Sequence, residues 1–147
     1  MRLLKIALGC LFLGACGGPE DAPEEQLRQW LATAQAAAES RDRSALMEML
    51  SPGYTDARGN DREAVDKMLR YYFLRQDKVV LVSKISDIAV RDGTAAEITL
   101  TVAMGGSGNG ALGFSADAYH FELELEHNDD EWLLMAARWG ELGQKIR

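Results

Sequence analysis

The chain of 147 residues has little cysteine and histidine, which excludes several kinds of site. Its two cysteines, Cys10 and Cys16, both lie near the N-terminus, and its two histidines are His120 and His127. The rest of the chain therefore has no thiol for a disulfide, a metal site or a nucleophile. The two histidines are seven residues apart. That spacing places them on opposite faces of a regular strand and argues against a zinc site.

Long hydrophobic runs and an excess of positive charge are also missing. The apolar run Ile6–Leu13 has only 8 residues, whereas a membrane-spanning helix needs roughly 20. The 16 lysines and arginines are outnumbered by 23 aspartates and glutamates, so the net charge is −7. An acidic domain is repelled by the phosphates of nucleic acids and by anionic lipids, so we do not expect nucleic-acid binding.

The N-terminus does contain the pattern of an export signal. Arg2 and Lys5 precede the apolar run, which ends in Leu13-Gly14-Ala15-Cys16. A basic start, a short apolar run and small residues before a cleavage point define a secretory signal. The cysteine directly after the small residues resembles a bacterial lipobox, and this resemblance implies cleavage before Cys16 and acylation of that residue. An ordinary signal peptide and an uncleaved anchor are the alternatives.

We divide the chain into a lipoprotein signal peptide (residues 1–15), a lipidated cysteine with a flexible tether (16–23) and one domain (24–147). Loss of Arg2 and Lys5 with the signal would change the net charge from −7 to −9. By resemblance to Gram-negative lipoproteins, Gly17 after the cysteine, in place of Asp, implies an outer-membrane location facing the periplasm. A tether of this length reaches on the order of 15 Å, so we expect the domain to lie close to the bilayer.

Apolar residues at helical spacing predict three helices in the N-terminal half. We place them at residues 24–40, at residues 43–50 and from Asn60 onward. Asp42 is expected to cap the second helix. Asn60, with Glu63 three residues later, resembles a capping box for the third helix.

The C-terminal half has the alternating pattern of four strands. The predicted strands are Val79–Val90, Thr94–Met104, Tyr119–Glu126 and Trp132–Trp139. Between the first two, Asp92-Gly93 predicts a two-residue hairpin turn. Three helices followed by an antiparallel meander indicate the α+β class.

Several short stretches, in this order, resemble the nuclear-transport-factor-2-like superfamily with its cystatin-like cone. They are Asp42-Arg43-Ser44-Ala45-Leu46, Tyr54-Thr55-Asp56, Gly59-Asn60-Asp61-Arg62-Glu63, Asp92-Gly93-Thr94-Ala95-Ala96, Glu131-Trp132 and Arg138-Trp139. The resemblance covers about residues 24–140. It implies three N-terminal helices packed in the concave face of a curved four-strand antiparallel sheet, often with a pocket at the open end. Members include isomerases, dehydratases, cyclases and binding modules, so the fold alone does not determine the function.

The resemblance also indicates candidate pocket residues. By position these are Tyr54, Asp56, Tyr72, Tyr119 and Arg138. Members related to ketosteroid isomerase use a carboxylate base together with tyrosine or acid donors, but no residue of this chain maps onto that base. We therefore expect a non-catalytic domain that binds a small apolar ligand or a partner protein. A small-molecule isomerase or dehydratase of the ketosteroid-isomerase type is the alternative.

A glycine-rich segment and an acidic strand face resemble binding motifs, but we interpret both as structural features. Residues 108–113 match the letters of a dinucleotide-binding fingerprint, but a strand pattern follows where the fingerprint requires a helix. We therefore predict an inter-strand loop and no cofactor. His120, Glu122 and Glu124 share one strand face with a spacing that a divalent metal could use. We interpret them as a solvated polar face without a metal.

The last predicted strand is apolar on both faces from Trp132 to Met135. One face of this strand should pack against the helices, and the other apolar face should also be covered, either within the domain or by a second molecule. Leu133 and Met135 are therefore candidate interface residues, for a homodimer or for an envelope protein partner. Packing within the domain's own core is the alternative.

Overall fold

The computed structural model describes residues 22–107 and 114–146. It contains the helices α1 (Pro23–Glu39), α2 (Arg43–Glu48) and α3 (Arg62–Arg75), followed by the strands β1 (Lys78–Arg91), β2 (Ala95–Ser107), β3 (Phe114–Asn128) and β4 (Glu131–Glu141). The strands form one antiparallel sheet in the order β1-β2-β3-β4. The predicted α+β class, with three helices on a four-strand sheet, is confirmed. The predicted signal peptide, Cys16 and the glycine-rich segment 108–113 lie outside the described residues.

Local side-chain chemistry explains where the shorter helices begin. Asp42 caps α2 as predicted, because its Oδ1 accepts a hydrogen bond from Ala45 N at 3.0 Å. The predicted cap of α3 was wrong by one residue: Asp61 is the cap, and it accepts from Ala64 N at 2.8 Å. Asn60 is used elsewhere, since its side chain donates to Asp56.

Both described hairpin turns use a pair of residues with positive φ. Asp92 and Gly93 have φ values of 50° and 71°, and Asp129 and Asp130 have 46° and 73°. Two consecutive residues in the left-handed region match the right-handed twist of the strands that they join. The predicted Asp-Gly turn is confirmed.

The second and third strands are longer than their alternation predicts. Gly105 and Gly106, beyond the predicted strand end at Met104, lie within β2, where Gly106 pairs with Val79 and Ser115. A Cβ at position 106 would overlap the side-chain oxygen of Gln76, so that side chain would have to move for any larger residue. Glycine therefore marks a close approach here and not a strand end.

One apolar face of the sheet forms the core with the helices. Its buried residues are Leu27, Leu50, Tyr54, Ala96, Ile98, Leu100, Leu123, Leu125, Trp132 and Ala137. The register shifts between Ile85 and Asp87 in β1, and between Glu124 and Leu125 where β3 meets β4. Such bulges bend and twist a sheet, which helps it to curve around the helices.

The free edge of β1 is covered by polar side chains of α1. Leu81 N donates to Glu39 Oε1 at 2.9 Å, and Gln35 Nε2 donates to Leu81 O at 3.0 Å. Ser83 Oγ donates to Gln35 Oε1 at 2.9 Å. Unpaired edge groups invite association with other strands, so these bonds protect the edge while they fix α1 on the sheet.

The opposite edge, on β4, is covered by the chain between α2 and α3. Leu134 N donates to Met49 O and Ser51 N donates to Leu134 O, both at 2.9 Å. Farther along, Thr55 N donates to Met135 O at 3.1 Å and Ala57 N to Ala137 O at 3.0 Å. We call residues 49–57 the edge segment. It acts as an irregular fifth strand and carries the chain to the end of the sheet where β4 finishes.

Within residues 22–107 and 114–146, no helix has both the length and the apolar character needed to cross a bilayer.

The core makes a direct stability prediction. Leu27 is 0% exposed and Leu74 is 80% exposed, so the same truncation should have very different effects at the two positions. We expect Leu27→Ala to lower the free energy of unfolding by about 2–5 kcal/mol, because it leaves a cavity. Leu74→Ala is the matched control and should change it by less than about 0.5 kcal/mol. Urea unfolding followed by circular dichroism measures both, and equal losses would contradict the described core.

Candidate functional site

A cavity of about 970 Å³ opens at the end of the sheet where β2 ends and β3 begins. Helix α3 contributes Met68 and Tyr72, and the loop after the edge segment contributes Arg58. The strands contribute an aromatic set: Tyr119, Phe121 and Trp139. The charged side chains at its wall are Arg58, Asp117, Glu141 and Lys145.

The aromatic wall follows from strand alternation and cross-strand pairing. Tyr119 and Phe121 are two residues apart on β3 and so point to the same side, with ring centroids 6.3 Å apart. Trp139 is the cross-strand partner of Phe121, and their rings stack at 6.3 Å with an interplanar angle of 24°. These rings give the cavity a continuous aromatic surface of the kind that binds planar apolar groups.

Arg58 lies over the indole of Trp139. Its guanidinium carbon is 4.7 Å from the ring centroid, and its Nη2 donates to Trp139 O at 3.4 Å. The cation–π contact and the hydrogen bond act on the same group. Together they hold a positive charge at the wall of the cavity.

Two tyrosine hydroxyls belong to the cavity. Burial raises the pKa of Tyr72, and the negative charge of Asp117 raises it further. Burial also raises the pKa of Tyr119, with further increases from Asp117 and Glu141, whereas Arg58 lowers it. Both hydroxyls therefore stay protonated at neutral pH and offer O–H donors to a ligand.

The structure brings together only two of the five residues predicted for the pocket. Tyr72 and Tyr119 line the cavity. Tyr54 does not line it, because it is 5% exposed within the apolar core. Arg138 points to the other face of the sheet, where its Nη2 lies 2.8 Å from Glu122 Oε2.

Asp56 is buried beside the cavity but does not line it. Its Oδ1 accepts hydrogen bonds from Arg58 N at 2.8 Å and from Asn60 N at 2.9 Å. Its Oδ2 accepts from Asn60 Nδ2 at 2.8 Å. The carboxylate therefore folds its own loop, as Asp side chains commonly do in turns.

Sequence reasoning missed Arg58, Asp117 and Trp139 as cavity residues. Alternation along the predicted strand Tyr119–Glu126 puts Tyr119 and Phe121 on one face, and the pairing of Phe121 with Trp139 adds the indole. No local signal identifies Arg58, because it enters the cavity only through the pairing of the edge segment with β4. Asp117 lies beyond the stretch of β3 that had been predicted.

The predicted interface residues lie on β4 outside the core cluster. Leu133 and Met135 are each half-buried. Met135 lies at the bulge, since Leu134 pairs with Leu125 and Ala136 pairs with Glu124. Whether a second molecule covers this face stays a prediction.

On the acidic face of β3, Glu122 forms an ion pair with Arg138. In the part of the chain that the structure describes, no three His, Cys, Asp or Glu side chains are grouped closely enough to hold a metal ion. Strand β3 follows the glycine-rich segment directly, so the helix that a dinucleotide fingerprint requires is not found there.

No protein-family model and no curated protein sequence matches the chain, but its fold matches solved structures. A protein assigned as a scytalone dehydratase from Novosphingobium aromaticivorans superposes with a TM-score of 0.75 and 10% identity, over 84% of this chain and 85% of that one. A protein assigned as a dehydratase of the NTF2-like family from Streptomyces avermitilis gives a TM-score of 0.71 and 12% identity, over 83% and 97%. The chain has the nuclear-transport-factor-2-like fold.

The same fold occurs within a larger protein. Bd1075 from Bdellovibrio bacteriovorus matches with a TM-score of 0.69 and 8% identity over 80% of this chain, but the match spans only 41% of Bd1075. At these identities the likeness concerns the fold alone. Any activity of this domain depends on the residues of its own cavity.

The buried hydroxyl of Tyr54 should make the stability of the fold depend on pH in the alkaline range. Burial, together with the nearby Asp56, raises the pKa of Tyr54 from 10.0 to about 12. The folded state therefore holds this proton more tightly than the unfolded state does. The resulting stabilisation is fully present below pH 10 and is lost as the pH rises from 10 to about 12.

As the pH rises from 10 to about 12, we expect the free energy of unfolding to fall less in Tyr54→Phe than in the natural chain. Urea unfolding at pH 9 and at pH 11 measures the difference. The same loss of stability in both proteins would show that the Tyr54 hydroxyl does not titrate in this way.

Proposed function

We propose that this domain binds a small molecule with a planar apolar ring in the cavity, without chemical turnover. The observation that carries the proposal is the wall formed by Tyr119, Phe121 and Trp139 in an open cavity. Aromatic pairs contribute about 0.5–1.5 kcal/mol beyond the burial of their area, so a ring stacked here gains specific affinity. The protonated hydroxyls of Tyr72 and Tyr119 would orient the polar groups of the ligand.

A second candidate function is proton-transfer chemistry of the ketosteroid-isomerase type. It is favoured by one arrangement: Asp117 acts electrostatically on the hydroxyls of both Tyr72 and Tyr119 within one cavity. A carboxylate base and tyrosine donors are the groups that such chemistry uses. The names of the superposing dehydratases are consistent with this candidate but concern proteins at 10% and 12% identity.

Binding to the cavity is tested with 2-naphthylmethanol, a neutral planar probe, added to the full chain in detergent. We expect saturable quenching of tryptophan fluorescence. Phe121→Leu should weaken binding by about three- to tenfold, because one stacking partner is lost. Tyr71→Leu is the control, since Tyr71 is 62% exposed and does not line the cavity.

No saturable binding, or equal effects of the two substitutions, would rule out this cavity as the binding site. Native mass spectrometry of the chain purified from its host gives a second readout, because a retained small molecule identifies the ligand class. If that molecule is converted to a product and Asp117→Asn stops the conversion, the catalytic candidate replaces the binding one.

We also propose that the domain is held at the bacterial envelope by lipid on Cys16, at the outer membrane and facing the periplasm. The support is the basic start, the apolar run and the lipobox-like Leu13-Gly14-Ala15-Cys16. Stable anchoring requires more than one acyl chain, which acylation of both the sulfur and the new amino group would supply.

Cys16→Ser should move the protein out of the membrane fraction, because the site of acylation is removed. Cys10→Ser is a matched control, since it lies within the segment that is predicted to be cleaved. Fractionation with immunoblotting and intact-mass measurement detects both location and lipid. An unchanged membrane fraction for Cys16→Ser would refute lipid anchoring at this residue.

A further inference from the structure

The loop of residues 56–60, at the end of the edge segment, is built around one buried carboxylate. Asp56 is 4% exposed, and all three of its side-chain hydrogen bonds go to Arg58 N and to the backbone and side chain of Asn60. The backbone closes the same loop, since Asp56 N donates to Asn60 O and Gly59 N donates to Asp56 O, both at 3.0 Å. Gly59 has φ of 81°, a conformation that side chains disfavour. The loop is therefore held in one shape from within.

This shape determines where Arg58 lies. Ala57 N donates to Ala137 O at 3.0 Å and fixes the loop to β4 directly before Arg58. The guanidinium then rests on Trp139, with one hydrogen bond to the carbonyl of that residue. Asp56 bonds to the backbone of Arg58 and not to its guanidinium. The carboxylate thus positions the charge without neutralising it by contact.

Arg58 differs from the paired arginines of the domain. Arg43, Arg91 and Arg138 each form an ion pair with a carboxylate. Among the residues that the structure describes, Arg58 has no carboxylate within 4.0 Å. A guanidinium carries five N–H donors in a planar fork, and Trp139 O uses one. The remaining donors are available at the cavity, in the geometry that matches a carboxylate.

Arg58 and Lys145 are the positive groups of the cavity lining, and Asp117 and Glu141 are the negative ones. Asp117 acts on the hydroxyls of both Tyr72 and Tyr119 and Glu141 acts on Tyr119, so a ligand carboxylate is favoured at the guanidinium and repelled by these two side chains. The two carboxylates raise the pKa of Tyr119, whereas Arg58 lowers it. The positive charge of the guanidinium is therefore effective at the Tyr119 hydroxyl.

We propose that the ligand is a planar ring compound with a carboxylate, that Arg58 binds this carboxylate, and that Asp56 is the positioning residue for Arg58. The ring would stack on Tyr119 and Phe121 while the carboxylate meets the guanidinium above Trp139. This inference rests on the proposed ligand-binding function and names the chemical class that the cavity prefers.

The test compares two probes that share one ring system, 2-naphthoate and 2-naphthylmethanol, on the full chain in detergent by isothermal titration calorimetry. We expect 2-naphthoate to bind about tenfold more tightly, because hydrogen bonds to charged groups are the stronger ones. Arg58→Gln should remove this preference and leave the affinity for the alcohol within about twofold. Arg28→Gln changes the net charge equally at an exposed position of α1, outside the cavity, and should keep the preference.

Asp56→Asn tests the positioning role, because it keeps the size but turns one acceptor into a donor that faces Asn60. We expect the preference for 2-naphthoate to fall at least threefold with the affinity for the alcohol unchanged. Asn60→Ala removes only the bond to Asp56 Oδ2 and provides a milder second variant with the same expected direction.

Three outcomes would overturn parts of this proposal. Equal affinities of the natural chain for both probes would refute the anionic ligand while leaving ring binding in the cavity intact. Failure of both probes to bind would refute the proposed function itself. A parallel loss of both affinities in Asp56→Asn and Asn60→Ala would show that the loop only supports the fold and does not position Arg58.

Discussion

The pairing of the edge segment with β4 is the constraint on which the rest of the structure depends. Strand β4 is the last of the sheet and would otherwise expose a row of unpaired backbone groups. Residues 49–57 satisfy these groups through hydrogen bonds to Leu134, Met135 and Ala137. Because this segment leads from α2 towards α3, it helps to position α3, whose Met68 and Tyr72 line the cavity. The cavity exists between α3 and the strand ends that this connection leaves uncovered.

Within the cavity, apolar and charged groups have separate origins. The aromatic wall comes from regular strand geometry, in which Tyr119 and Phe121 share a face and Trp139 lies opposite Phe121. The positive charge of Arg58 comes from an irregular loop that a buried carboxylate folds. A rigid strand wall and a locally stabilised loop suit a site that binds with little rearrangement.

The accuracy of the sequence predictions varied with the range of the interactions behind them. The Asp42 cap and the Asp-Gly turn depend on neighbours within four residues, and both were correct. The cap of α3 was displaced because Asp56 competes for the Asn60 side chain. The second strand was predicted to end at Met104 but continues through Gly106, which lies close to the side chain of Gln76, a residue far away in the sequence.

The amino-acid sequence by itself determined the element order, the α+β class and the faces that become the core, because periodicity and turn chemistry are local properties. Only the tertiary structure decided which side chains meet at the cavity. Tyr54 and Asp56 belong to one short stretch with Arg58, yet the first enters the core, the second folds the loop and the third reaches the cavity wall. Their separation depends on hydrogen bonds between residues 49–57 and β4. Backbone N–H and C=O groups are nearly the same for every residue type, so a local sequence pattern does not indicate which of them will pair.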